Sequence, residues 1–167
     1  MSHPRAGRDN KGLVATFDRD RLMSLFPALE WDSPTVVRCT AETRGDGRYI
    51  KARGSKPRFG HVSIVCSPAF VLTVRHEHHW PDHVAPEERA ALDEGLLAGI
   101  MGGLTSGEYP AWLCGVTTVN VGYMPEQTTR QAVQAAAALA VQDALQRANW
   151  KLQTWPRGAV PHGDEPA

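Results

Sequence analysis

Apolar and polar residues alternate along Val36-Val37-Arg38-Cys39-Thr40-Ala41 and again along Gly60-His-Val-Ser-Ile-Val-Cys66. That two-residue period is the mark of half-buried strands. Phe70-Val-Leu-Thr-Val74, β-branched and bounded by Pro68, predicts a third strand. Pro86 followed by Glu87 and Glu88 makes a favourable helix start, because proline suits the first helical position and carboxylates suit the positive dipole end. This helix should run to about Met101 and stop at Gly102-Gly103. Cys114 to Val121 reads as the next strand. Thr128-Thr-Arg-Gln131 has the form of a capping box with Thr128 as the cap. Gln131 to Asn149 is rich in alanine, the strongest helix former. Val133, Ala137, Ala140, Ala144 and Ala148 share a narrow face there, widened by Leu139, Val141 and Leu145. Lys151 to Trp155 predicts a short closing strand. Strands, helix, strand, helix, strand is an α+β order, with one layer of helices on one sheet.

Composition narrows the setting. A chain of 167 residues builds one domain with a real core rather than two. No apolar run is long enough to span a bilayer, and the polar, basic stretch Met1 to Gly12 lacks an apolar signal core. The three cysteines, Cys39, Cys66 and Cys114, sit singly in apolar strand-like runs, which suits reduced core thiols and a cytoplasmic location. Residues 1–18 read as a disordered lead-in and the Pro/Gly-rich residues 156–167 as a flexible tail.

The formal net charge is zero, but its distribution is lopsided. From Arg38 to His61 seven basic residues face only Glu42 and Asp46, whereas from Glu77 to Glu126 Arg89 stands alone against eight carboxylates. Such a dipolar molecule can dock on RNA by one end and stay soluble. The basic residues concentrate in Arg48-Tyr-Ile-Lys-Ala-Arg-Gly-Ser-Lys-Pro-Arg-Phe-Gly-His-Val62. Here two strand-like runs flank a tip carrying Arg48, Lys51, Arg53, Lys56 and Arg58, punctuated by Gly54, Pro57 and Gly60. Lysine and arginine neutralise phosphates, and glycine lets a backbone approach them closely. A solvated hairpin loop is the plain alternative on charge alone.

The Arg58-Phe59-Gly60-His61-Val62 junction resembles the first tip loop of domain IV of elongation factor G and its relatives, the ribosomal protection proteins. Other short motifs follow in the same order. Asp20-Arg21-Leu22 with Phe26 resembles the end of the last helix of domain III, and Pro34-Thr-Val-Val-Arg38 with Ala41-Glu42-Thr43 the crossing into domain IV. Leu92-Asp-Glu-Gly-Leu96, Ser106-Gly107 and Tyr109-Pro110 resemble the domain IV helix and its exit, and Val116 to Tyr123 the strand leading to a second tip loop. The resemblance implies a remnant of domain III over residues 19–34 and a domain IV-like unit over residues 35–155. It also implies a left-handed βαβ crossover, an exception to the usual hand. In function it implies a stand-alone translation module binding the small ribosomal subunit or structured RNA, not DNA or membrane, with a separate GTPase as a possible partner. Arg48, Lys51, Arg53, Gly54, Lys56, Arg58 and Gly60 would form the RNA contact, with Tyr123 and Met124 from the second loop. Met124 stands where the family carries a histidine and Pro125 replaces its acidic neighbour; methionine can pack on a base but cannot donate a hydrogen bond.

No Gly-x-x-x-x-Gly-Lys-Ser/Thr loop is present and no serine or cysteine is paired with a histidine by spacing, so no enzyme activity and no cofactor are expected. Two other chemistries are legible. His76, His78 and His83 lie in one histidine-rich run, and on an extended strand His76 and His78 would share a side suitable for zinc, nickel or copper. A polar strand end explains the same run without metal. Alternatively the domain is a protein-interaction module without RNA binding, using an acidic helix face and exposed Trp80, Trp112 and Trp155.

Overall fold

A computed structural model describes residues 12–29, 31, 34–52, 54, 56–148 and 150–155. The expectations for residues 1–11 and 156–167 lie outside the described residues. The chain runs β1 (Leu13–Phe17), α1 (Arg19–Leu25), β2 (Thr35–Cys39), β3 (Thr43–Lys51), β4 (Arg58–Pro68), β5 (Leu72–His76), α2 (Pro86–Leu104), β6 (Cys114–Gly122), α3 (Arg130–Arg147) and β7 (Trp150–Thr154). Five strands form one sheet in the order β1-β5-β6-β4-β3, with α2 and α3 packed together on it as a second layer. The expected two-layer α+β fold is present. Helix α2 carries the chain from β5 to its parallel neighbour β6; all other pairings in the sheet are antiparallel.

The sheet has one buried and one open face. Gly45 and Gly47 of β3, Gly60, Val62, Ile64 and Cys66 of β4, Cys114, Val116 and Thr118 of β6, and Leu72 and Val74 of β5 are all buried. Their alternate neighbours are exposed or half-buried, the period-two signature of a sheet covered on one side. Helix α3 lies unusually close because both surfaces are nearly bare. It buries Ala132, Val133, Ala136, Ala137, Ala140, Val141 and Ala144, while a Cβ at Gly47 would fall 2.0 Å from the Ala136 carbonyl oxygen. Leu139, expected on the packed face, points outward and is 41% exposed.

Several boundaries move for physical reasons. Helix α2 does not stop at Gly102-Gly103 but continues to Leu104. Gly95, Gly99 and Gly103 recur every fourth residue and face α3; a Cβ at Gly99 would sit 2.2 Å from the Gln134 carbonyl oxygen. Close helix packing there outweighs the poor helix propensity of glycine, about 1 kcal/mol per residue. Thr129, not Thr128, caps α3 by accepting from the Ala132 N–H at 3.1 Å. Leu13–Phe17, read as part of a disordered lead-in, instead forms β1, which pairs with β5 and buries Ala15 and Phe17. Strand β2 does not join the main sheet: it pairs with β7 as a separate two-stranded sheet. A layer of helices on a single sheet is therefore incomplete as a description. Cys39, Cys66 and Cys114 are buried free thiols, as expected. Burial pushes the Cys39 thiol up, and Cys114 is raised by its hydrogen bond with Cys66 and by burial. No helix among the described residues is long and apolar enough to cross a membrane.

Candidate nucleic-acid interface

The β3–β4 hairpin pairs in continuous register from Thr43↔Cys66 to Lys51↔Arg58. Its far end therefore projects beyond the buried part of the sheet. Arg48, Lys51 and Lys56 are exposed there and make no ion pair with another described residue. Gly54 adopts φ +98° with open space where a side chain would be, so it serves the turn itself. Arg53 lies outside the described residues. Arg58 is half-buried and donates to the Gln131 Oε1 at 2.7 Å, which ties the hairpin to the start of α3.

Gly60 does something different from what its place beside the tip suggests. It is buried, and an added Cβ would lie 2.3 Å from the Ala132 carbonyl oxygen. It is a packing residue beneath α3 and not part of an exposed loop.

The segment between β6 and α3 arrives at the same end. Phe59 N–H donates to the Gln127 carbonyl at 3.0 Å, and His61 pairs with Gly122. The loop is closed internally. Met124 N–H donates to the Thr128 hydroxyl, and Gln127 and Thr128 N–H groups donate back to the Met124 carbonyl. Glu126 takes φ 64°, a left-handed conformation uncommon for a residue with a side chain. Met124 is left 40% exposed at the loop. Tyr123 is half-buried, donates its hydroxyl to the Glu88 carboxylate at 3.0 Å, and packs edge-on against His83 and Trp80. Burial and then the Glu88 hydrogen bond raise its hydroxyl pKa. The fold thus gathers Arg48, Lys51, Lys56, Arg58, Tyr123 and Met124, separated by up to half the sequence, at one end of the molecule.

The histidine run is divided. His76 and His78 stack edge-on at 4.7 Å, on one side as expected, but His83 leaves them to lie against Tyr123. Both ring nitrogens of His78 are engaged: Nδ1 with the Thr118 hydroxyl at 2.6 Å and Nε2 with the Asp93 carboxylate at 2.9 Å. His76 Nδ1 meets the same hydroxyl at 2.9 Å, and Trp80 Nε1–H donates to Asp93 at 2.8 Å. Among the described residues no group of three or more histidine, cysteine, aspartate or glutamate side chains is placed to hold a metal. Burial, then the neighbouring His78, lowers the His76 pKa. Burial pushes the Asp93 carboxyl up, but the hydrogen bonds from His78 and Trp80 overcome it and hold the carboxyl below its ordinary value. Thr118 gives no signal in the sequence beyond a polar residue in a strand, and Asp93 none beyond a carboxylate in a helix.

The tryptophans do not form an exposed surface. Trp80, Trp112 and Trp155 are buried, Trp112 completely, with Trp31 stacked on it at 5.2 Å. The interaction reading built on them loses its anchors.

No family model matches the chain. Elongation factor G of Carsonella ruddii (strain PV) is 28% identical to it over 109 residues, covering 62% of this chain and 16% of that protein. A Thermus thermophilus protein of known crystal structure superposes with a TM-score of 0.61 at 23% identity, covering 72% of this chain and 18% of that one. The second likeness concerns the fold. The chain is thus similar in sequence to part of elongation factor G, and it spans less than a fifth of the length of either protein.

Proposed function

We propose that the domain is a domain IV-like binding module of translation that docks on RNA of the small ribosomal subunit through its basic end. The observation that carries this reading is the convergence of the two tip segments. The hairpin brings Arg48, Lys51 and Lys56, which make no ion pair with another described residue, and the β6–α3 loop brings Tyr123 and Met124 to the same end. Exposed cations neutralise phosphates and release counterions, and an aromatic ring and a thioether offer apolar faces to bases. The similarity to elongation factor G supports a ribosome-related role. The module acts by binding.

Co-sedimentation with separated ribosomal subunits across a salt series tests the proposal. Binding to the small subunit should fall steeply with salt. Lys51→Glu with Lys56→Glu should weaken it at every salt concentration. Undiminished sedimentation of that double variant would remove the tip from the mechanism.

A further inference from the structure

The open face of the sheet continues the basic end as a track of defined chemistry. Alternation places Arg44, Asp46, Arg48 and Ile50 of β3 and Phe59, His61, Ser63 and Val65 of β4 on this face. None of them is buried, and Ile50 is 61% exposed. Phe59 does not sink into the core. Its ring lies over Gly122 of β6, where a Cβ would come 3.0 and 3.2 Å from two ring carbons and 3.0 Å from the His61 Cβ. The missing side chain at position 122 leaves room for the Phe59 ring, with the His61 Cβ beside it. The next row across the sheet is Asp46↔Ser63↔Asn120, hydrogen-bonding groups with the Ser63 hydroxyl donating to Asp46. The row beyond is Arg44↔Val65↔Thr117. Arg44 and Arg48 make no ion pair with a described residue and stand about 13 Å apart along β3, four residues of an extended strand.

We propose that this face binds single-stranded RNA running from the tip across β3, β4 and β6, an inference that rests on the RNA-docking reading of the tip. Bases stack on Phe59 and His61, because any base offers a π-face to an aromatic platform. Asp46, Ser63 and Asn120 meet base edges, the carboxylate accepting from exocyclic amino groups. Arg48 and Arg44 take the phosphates on either side of them. The single carboxylate is consistent with this division: it sits in the row that faces bases, between the arginines that face the backbone.

Fluorescence anisotropy with a labelled single-stranded 12-nucleotide RNA, run beside the ribosome sedimentation, tests the inference. Phe59→Leu should weaken RNA binding about tenfold without changing its salt slope, since base stacking contributes roughly 1–3 kcal/mol per base and tenfold is about 1.4. Phe59→Tyr should restore it. Arg44→Gln should lower the salt slope by about 0.7, one single-strand phosphate. Thermal melting of Phe59→Tyr and Arg44→Gln, both altered only at the surface, shows that the fold is retained. If Phe59→Leu and Arg44→Gln bind RNA like the wild type while Lys51→Glu with Lys56→Glu loses the ribosome, the open face is not an RNA site and the tip reading stands. Ribosome binding without any binding of the 12-mer overturns the inference in the same way. Failure of the wild type in both assays overturns both readings.

Discussion

The tip of the β3–β4 hairpin and its base use the same residues for opposite ends. Gly54 and Gly60 are six positions apart in one Arg/Lys/Gly-rich stretch, yet among the described residues nothing crowds the place of a Cβ at Gly54, whereas Gly60 lies beneath a helix carbonyl. The base uses its glycines for closeness. Gly45, Gly47 and Gly60 let α3 descend on β3 and β4 with little but alanine between them. The tip uses its glycine for a backbone angle and leaves Arg48, Lys51 and Lys56 without an ion pair to another described residue. A rigid base thus holds an open, charged tip. Stability belongs to the first, recognition to the second, and substitutions should separate the two.

The largest effect is expected at the base. Gly47→Val places three carbons where the Ala136 carbonyl and Ala140 N–H already lie at 2.0 and 2.5 Å from a Cβ. Helix α3 must shift along its packed length, so the cost should exceed the roughly 1–3 kcal/mol of ordinary overpacking. Urea unfolding should show a lost or strongly lowered transition midpoint. A variant as stable as the wild type would mean that the helix does not sit on β3 as described.

Thr118→Val comes next. The valine fills the same volume but removes the hydroxyl that meets both His76 Nδ1 and His78 Nδ1. An unsatisfied buried polar group costs about 1–3 kcal/mol, and two rings share this one. A loss of about 2 kcal/mol in urea unfolding is expected. Ribosome sedimentation should be unchanged at a temperature where the variant stays folded, because the network lies away from the tip cations.

Gly54→Ala sharpens the comparison from the other side. No atom of the described residues obstructs the new methyl group, so the positive φ sets the cost, about 1 kcal/mol. Gly60→Ala, the same chemical change at the base, should cost more, since its Cβ meets a backbone carbonyl that cannot turn aside. Equal losses in the two variants would erase the distinction between tip and base.

What the sequence makes legible follows from how local each feature is. The alternation in β4 and β6 and the alanine face of α3 are written in consecutive residues, and they appear nearly where expected. The cations of the tip are neighbours in the chain, so they stand out together. Pairing is not local. Val36-Val37 reads as a strand whichever sheet it joins, and only the tertiary fold sends β2 to β7. Glycines in α2 look like a stop until α3 is placed against them. Asp93, His78 and Thr118 come from α2, the segment after β5, and β6, and no spacing rule connects them. The tryptophans mislead because an aromatic residue near a turn looks the same in sequence whether it points in or out.

The smallest effect is one of pH, and it again separates the base from the tip. The His76 pKa is lowered in the folded state by burial and by His78, so the unfolded chain binds a proton there that the native protein resists. Stability from this group is fully present above its unfolded value near 6.5 and declines as pH falls below it toward the lower folded value. Asp93, also lowered, contributes only further down, holding above about 4 and fading as pH drops through its folded value. Urea midpoints should therefore fall between pH 7.5 and 5.5, and His76→Gln should flatten that part of the curve. The titratable groups facing His76 are His78 from its own segment and Asp93 from α2; Thr118 from β6 contributes a neutral hydroxyl. Asp93→Asn should leave the upper part sloping and flatten the lower one. A midpoint that stays level from pH 7.5 to 5.5 in the wild type would show that His76 reaches solvent, and that this corner of the base is as open as the tip.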